Sequence, residues 1–431
     1  MPINYLRAGQ GLLLFIMALL ASTVSALEIG VTARYIGEFD SNAALTRSDT
    51  VADWIHRPGV LLTAQHAGAR LEVDGSYDVE RRLYREDLFE DETLVTGSTS
   101  LVGILLPNRL EFHASHLREE TTIQAAGADT PANRQVINST MLGPRLLVRG
   151  IRQPDSLVID YRYQDLRARI TETDSDRHIL TGTYSMPLRE TRVLALEANY
   201  TEVRFSNDLV PRYDRWHGMG RFQGTGARSE LEVGAGYAHI RRFEGLDNVS
   251  LVIADLMLSH NFTPTASLTL TAERDQRDNT LDLLGGFGGL GGELAEDTDL
   301  NEIFIYSGAA LLYEQTLGNN TLGLQAFLER QDYEDIDRDQ DRLGAAITIT
   351  RPLRPNLSLR GFAGHSEVEL EEFNRIDRDT RFEVGLAWQP WQRLTASLTL
   401  GKERRTSGDP LAEYRNRFGM IELSYLILGA P

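Results

Sequence analysis

Apolar and polar residues alternate along most of this chain, a period of two that is typical of β-strands with one apolar and one polar face. In one such segment Leu194, Leu196 and Ala198 share the apolar face, and Glu197 and Asn199 share the polar face. About 20 segments of this kind follow one another, with no amphipathic helix of convincing length among them. The alternation therefore predicts an all-β fold.

The connections between these segments differ in a regular way. Short turns such as 107–109, 317–319 and Gln389–Pro390 alternate with longer, acidic stretches such as 119–134 and 276–300. Tight turns at one end and longer polar loops at the other are typical of outer-membrane barrels, whereas a secreted β-sandwich or solenoid has no reason to sort its loops in this way. The sequence therefore predicts a transmembrane antiparallel up-and-down β-barrel of about 20 strands, with 18 as the alternative, short periplasmic turns and longer acidic extracellular loops.

The tryptophans fit such a barrel because all four fall near predicted strand ends. Trp54 and Trp216 are at the long-loop end, and Trp388 and Trp391 flank a short turn. Aromatic side chains gather at both interfaces of a membrane barrel. We therefore expect two aromatic girdles.

Residues 1–26 have the pattern of a secretory signal peptide. A single basic residue precedes the apolar run at 12–20, and small residues end the segment. This order predicts cleavage between Ala26 and Leu27, which leaves 27–431 as the barrel domain. The alternative is an uncleaved anchor. We expect export to the outer membrane of a Gram-negative bacterium.

The composition excludes several function classes. The 62 acidic residues outnumber the 44 basic ones, for a net charge of −18, whereas binding to nucleic acid selects for positive charge. The chain has no cysteine, so disulfides and thiolate chemistry are excluded. His113 and His116 are three residues apart, which on a strand places them on opposite faces. We therefore expect neither an enzyme nor a resident metal or cofactor.

Two loops carry motifs that could have a function. Residues 335–341 alternate carboxylates as a calcium loop does, but they lack its central glycine, so a solvated acidic loop is the better interpretation. The longest predicted loop holds a glycine-rich run with two apolar residues, which predicts either a flexible surface loop or an inward-folded gate. The candidate gate residues are Gly285, Gly286, Phe287, Gly288, Gly289, Leu290, Gly291 and Gly292.

The polar faces of the strands supply the candidate lumen lining. Carboxylates and guanidinium groups on these faces would form a wet, hydrogen-bonding wall, and arginine suits ligands rich in hydroxyl or carboxylate groups. The plainer alternative is a solvated pore wall without a specific ligand. The candidates are Glu72, Asp74, Asp78, Glu80, Asp160, Arg162, Glu197, Glu230, Glu232, Arg360 and Glu383.

The first 115 residues or so resemble a known family. The segments that carry the resemblance are Phe39-Asp40-Ser41-Asn42, Arg57-Pro58-Gly59-Val60, Phe89-Glu90-Asp91, Thr96-Gly97-Ser98-Thr99-Ser100-Leu101 and Leu105-Leu106-Pro107-Asn108-Arg109. In this order they resemble a family of β-barrel porins of Gram-negative bacteria that is associated with exopolysaccharide export and with exosortase (PEP-CTERM) systems. The resemblance implies outer-membrane residence and a part in moving polysaccharide out of the cell.

The sequence therefore predicts a channel, and the leading hypothesis is a passive conduit for an extracellular polysaccharide. The alternatives are a general diffusion porin for small hydrophilic solutes and a closed structural or adhesive barrel. The expected partners are outer-membrane lipid and lipopolysaccharide, together with the polysaccharide and periplasmic export components that the resemblance implies. Nucleic acid is not an expected partner.

Overall fold

The computed structural model describes residues 27–123, 127–149, 155–170, 174–206, 212–243, 246–278, 303–333 and 338–429. Twenty β-strands follow one another in these ranges. They are β1 (Glu28–Asp40), β2 (Asp53–Ala67), β3 (Leu71–Tyr84), β4 (Glu92–Leu106), β5 (Leu110–Thr122), β6 (Arg134–Arg149), β7 (Ser156–Ala168), β8 (Ser175–Arg189), β9 (Arg192–Phe205), β10 (Tyr213–Thr225), β11 (Ser229–Arg242), β12 (Val249–Thr263), β13 (Ala266–Asp278), β14 (Ile303–Leu317), β15 (Asn320–Tyr333), β16 (Gln340–Arg354), β17 (Leu357–Leu370), β18 (Arg375–Trp391), β19 (Leu394–Ser407) and β20 (Tyr414–Leu428).

The strands form one closed sheet. Each strand pairs antiparallel with its neighbours in sequence, and β20 pairs with β1 from Val31–Leu428 to Asp40–Phe418, which closes the barrel. The predicted antiparallel up-and-down barrel is confirmed, with 20 strands rather than 18. The helical segments in the described ranges are two 3-10 turns at Pro131–Asn133 and Glu371–Phe373. No helix in those ranges is long and apolar enough to span a membrane.

The two ends of the barrel differ in the length of their connections. At one end, which we call the short-turn end, most connections are turns such as 264–265 and 355–356. At the other, the long-loop end, the strands are joined by stretches such as 41–52 and 408–413. The halves of the barrel nearest these ends are called the short-turn half and the long-loop half.

One predicted turn was wrong. Gln389–Pro390 lies inside β18, and the turn to β19 is at 392–393. Proline has no N–H group to donate to a neighbouring strand and is confined to edges and bulges of a sheet. The pairing with β19 shifts between Trp388 and Trp391, so this proline occupies a bulge rather than a turn.

The two faces of the sheet differ in polarity, as the alternation predicts. Large apolar side chains on one face are exposed, for example Leu196 at 51%, Val252 at 62% and Leu328 at 61%. Such a face is suited to lipid, so we call it the outer face, and the polar face that surrounds the lumen is the inner face. Trp54 and Trp216 are exposed near the long-loop end, and Trp388 and Trp391 near the short-turn end.

Strand pairing stops part-way up the barrel at two places. The β4–β5 pairing ends at Gly97–Arg118, although both strands continue toward the long-loop end. The β12–β13 pairing ends likewise at Ala254–Arg274. We call these two places the β4–β5 seam and the β12–β13 seam.

Beyond each seam the wall consists of two layers. In a single layer every second residue would face outward, yet Gln135, Val136 and Ile137 on β6 are consecutive and all at most 5% exposed. Ile303 and Phe304 on β14 are also both buried. At each seam, one edge of the sheet therefore lies inside the barrel and is covered by the other edge. We call the inner edges the tucked edges, and they consist of β5–β6 and β13–β14.

Candidate functional site

The strand register places all eleven candidate lumen residues on the inner face. Glu197, Glu232 and Glu383, for example, each adjoin an exposed apolar residue that points outward. Neighbours along a strand point to opposite faces, so the carboxylates point inward. The same register holds for Glu72, Asp74, Asp78, Glu80, Asp160, Arg162, Glu230, Arg360 and their cross-strand partners. That these residues line a permeation path stays a prediction.

Most of these carboxylates are held by arginines that the sequence reasoning missed. Arg34 on β1 donates to Asp78 on β3 and lies 3.4 Å from Glu422 on β20. Farther toward the long-loop end, Glu80 accepts from Arg57 at 3.0 Å and from Arg82 at 2.8 Å. Together the two groups of ion pairs link β20 and β1–β3 along the inner wall.

A similar arrangement recurs on β6–β12. Asp160 accepts hydrogen bonds from Arg145 and from Arg162, each at 2.7 Å. Arg221 lies 3.4 Å from Glu197 and 3.2 Å from Glu232. Two residues of opposite charge that are two positions apart on a strand, such as Asp160 and Arg162, lie on the same face. This spacing could have predicted some of these ion pairs from the sequence.

The tucked β13–β14 edge fills part of the lumen in the long-loop half. Arg177 on β8 donates to Asp278 on β13 at 2.8 Å, although five strand positions separate them around the barrel. Tyr213 on β10 also donates to Asp278. The side chains of Arg177 and Asp278 are fully buried, so this bridge lies in a dry part of the lumen.

Two apolar clusters pack beside this bridge. Ile303 of the tucked edge packs with inner-wall side chains, among them Val203 and Ile240, which are fully buried. Ile305 packs against a second cluster that contains Leu251 and Ile253. Buried apolar groups on the inner face exclude water, so the long-loop half is narrowed here by a hydrophobic layer.

The tucked β5–β6 edge fills the lumen from the other side. Glu120 accepts two hydrogen bonds from Arg82 on β3, at 2.8 and 2.9 Å. The loop beyond β5 reaches across to β19, where Arg405 Nη1 donates to the carbonyl oxygen of Gly127 at 3.1 Å. Arg405 is also held by Asp379 at 2.9 Å. This loop is therefore tied to a wall six strand positions away from the strand that carries it.

The short-turn half contains open space. A cavity of about 580 Å³ lies against the inner faces of β13–β17, and its lining includes Thr348, Phe327 and Arg360. A second cavity of about 470 Å³ lies against β1–β5 in the long-loop half, beside the tucked β5–β6 edge, and its lining includes Arg57, Glu80 and Glu120. Both volumes fall in the range of about 300–1,000 Å³ that is usual for small-molecule sites.

Some predicted features lie outside the described residues. These are the signal segment up to Ala26 and the whole glycine-rich gate candidate at 285–292, whereas Leu27 is the first described residue. The described ranges contain no group of three histidine, aspartate or glutamate side chains that could hold a metal ion.

The barrel is similar to solved structures of outer-membrane proteins. A variant of the FrpB iron transporter of Neisseria meningitidis superposes with a TM-score of 0.51 at 9% identity, over 93% of this chain and 82% of that one. A mutant of the ferric enterobactin receptor of Pseudomonas aeruginosa gives 0.51 at 12% identity, over 93% and 80%. OccK2 of Pseudomonas aeruginosa gives 0.42 at 10% identity, over 94% and 98%.

No protein-family model matches the sequence, and no curated protein matches it significantly. Identities this low show the fold alone. The chain has the fold of outer-membrane β-barrel channels and transporters.

Proposed function

We propose that this protein is an outer-membrane channel that serves as a passive conduit for an extracellular polysaccharide. The observation that carries the proposal is the inner face, where charged side chains from many strands surround a lumen with open cavities. A structural barrel has no need of such a wall, because apolar side chains could fill its interior. The resemblance of the first 115 residues to porins associated with exopolysaccharide export supports polysaccharide as the cargo.

The chemistry of the wall is compatible with that cargo. Most inner-face carboxylates are paired with arginines, so the wall presents hydrogen-bonding groups whose charges are largely balanced locally. Such groups can exchange hydrogen bonds with the hydroxyl groups of a passing chain, and bound water can mediate others. A channel of this kind needs no energy source of its own.

The two tucked edges suggest that the channel is narrow at rest. Both edges lie in the long-loop half, and Gly127 in the loop between β5 and β6 is bonded to Arg405 on β19. We therefore propose that conduction requires the tucked β5–β6 edge to move. This proposal also explains how a wide barrel can reside in the outer membrane without leaking solutes continuously.

Single-channel recording in planar bilayers tests the proposal. The wild-type protein should give rare or small openings, and Arg405→Ala should increase open probability several-fold because the loop loses its tie to β19. Arg404→Ala is the matched control, since Arg404 is the preceding residue on the same strand and points outward. An absence of conductance in every folded variant would contradict the channel proposal.

The cargo is tested in the same recordings. Fragments of exopolysaccharide should block the open Arg405→Ala channel in a concentration-dependent way. A general diffusion porin would instead pass small solutes without block by such fragments. A steady conductance that these fragments do not affect would contradict the polysaccharide assignment while leaving the channel in place.

A further inference from the structure

The cavity on β13–β17, which we call the groove, is lined by several polar groups that have no partner in the described ranges. Glu314 and Arg360 line it, and neither makes an ion pair or hydrogen bond with any residue in the described ranges. The same is true of the hydroxyl groups of Thr321, Thr348 and Thr350. Elsewhere on the inner face, arginines hold most of the carboxylates. The groove therefore has hydrogen-bonding capacity that the protein itself does not use.

An aromatic ring forms part of the groove floor. Phe327 on β15 lines the cavity, and its ring lies over Gly344 on β16. A Cβ atom added to Gly344 would be only 2.5 Å from Cζ of the ring, so only glycine allows the ring to lie this close to the wall. Arg342 lies 5.1 Å from the ring centroid. The glycine therefore fixes an apolar surface at the base of a polar groove.

We propose that the groove is a binding site for a neutral saccharide. A pyranose ring has apolar C–H faces and a rim of hydroxyl groups, so one face can lie on Phe327 while the rim bonds to threonine hydroxyls and to Arg360. The groove lining carries both signs of charge, with Glu314 and Glu329 beside Arg342 and Arg360. Two carboxylates and two guanidinium groups give the lining no net charge, so the groove has no electrostatic preference for a polyanion.

This inference rests on the proposed function, because it names the stretch of lumen that a polysaccharide would contact on its way. The groove lies in the short-turn half, before the tucked edges. A chain segment could therefore bind there while the long-loop half is still narrow. The site would hold one end of the polymer in line with the constriction.

Isothermal titration calorimetry on the purified full-length protein in detergent tests the site, with maltohexaose as the neutral probe. Phe327→Ala should weaken binding about fivefold to tenfold, the loss expected for one aromatic contact. Phe222→Ala is the matched control and should bind like the wild type. Phe222 also packs its ring over a glycine, since a Cβ on Gly224 would be 3.2 Å from it, but it lies on the outer face.

Two further variants test the site without removing the Phe327 side chain. Gly344→Ala retains the phenylalanine but displaces its ring, and it should weaken binding several-fold. Arg360→Gln retains most of the side chain and should weaken binding about threefold. Circular dichroism should show the same β-sheet content in all variants.

Three results would overturn the site: no maltohexaose binding by the wild type, equal binding by Phe327→Ala, or tighter binding of hexagalacturonate than of maltohexaose. Because calorimetry in detergent does not require the channel to open, its result is separate from that of the conductance test. Binding without conductance would support the saccharide site and contradict the proposal that the protein is a conduit. Conductance without binding would support the channel and contradict the saccharide site.

Discussion

The long-loop half and the short-turn half of the lumen are built from the same twenty strands, yet they treat polar groups differently. In the long-loop half the inner-face groups bond to one another, as in the buried Arg177–Asp278 bridge. In the short-turn half some groups are also paired, as Asp160 is with Arg145, but others, such as Glu314 and Arg360, are exposed to the lumen without a partner in the described ranges. The difference arises at the two seams, because a tucked edge covers inner-face groups that would otherwise face water. In the function that we propose, the long-loop half closes the channel and the short-turn half contacts the ligand.

The largest expected effect is on stability and separates the halves directly. Asp278→Ala removes from the buried Arg177 guanidinium the carboxylate that it contacts at 2.8 Å, and it should lower the free energy of unfolding by about 3–5 kcal/mol. Glu314→Ala in the short-turn half should change it by less than about 0.5 kcal/mol, since Glu314 is exposed to the lumen. Denaturant titration of the refolded barrels measures both. Equal losses would remove the distinction between the two halves.

A smaller effect is expected from apolar inner-face residues. Ile240→Ala creates a cavity beneath the tucked β13–β14 edge and should cost about 2–4 kcal/mol. Leu312→Ala changes an inner-face residue that is 40% exposed, so it should cost less than about 1 kcal/mol. The same titrations report both values. A cost for Leu312→Ala as large as that for Ile240→Ala would show that the short-turn half is packed as well.

The smallest expected effect is on ion selectivity. Glu314 is exposed to the lumen in the short-turn half without an ion-pair partner in the described ranges, so Glu314→Gln should make the open channel less selective for cations and shift the reversal potential in a salt gradient by a few millivolts. Glu369→Gln is the control, because Glu369 points outward. An equal shift from this control would contradict the assignment of faces.

The sequence was sufficient to predict strands and faces because both depend on local alternation. The residues from 191 to 205 show their apolar and polar faces without reference to any other segment. It was not sufficient to predict the bridge between Arg177 and Asp278, which are 101 residues apart and meet only because an edge leaves the wall. It also misplaced the turn at Gln389–Pro390, since a proline at a bulge and a proline in a turn look alike in one sequence.

The groove was predictable only in part. Alternation placed Arg360 on the inner face, and the structure keeps it there. The importance of Phe327 could not be read from the sequence, because its ring lies over a glycine of the next strand, and that depends on the register of β15 with β16. The register of neighbouring strands is set by the whole barrel rather than by either strand.

The most direct test of the central claim is the water accessibility of the two halves of the lumen. The chain has no cysteine, so single Thr348→Cys and Thr201→Cys variants give one reactive thiol each, in the short-turn half and the long-loop half respectively. Thr201 is 7% exposed, whereas Thr348 lines the groove. We expect a small charged thiol reagent to modify Thr348→Cys at least about 100-fold faster in folded protein, because a buried thiol is inert. Equal rates would contradict a lumen that is open at the groove and closed beside the tucked β13–β14 edge.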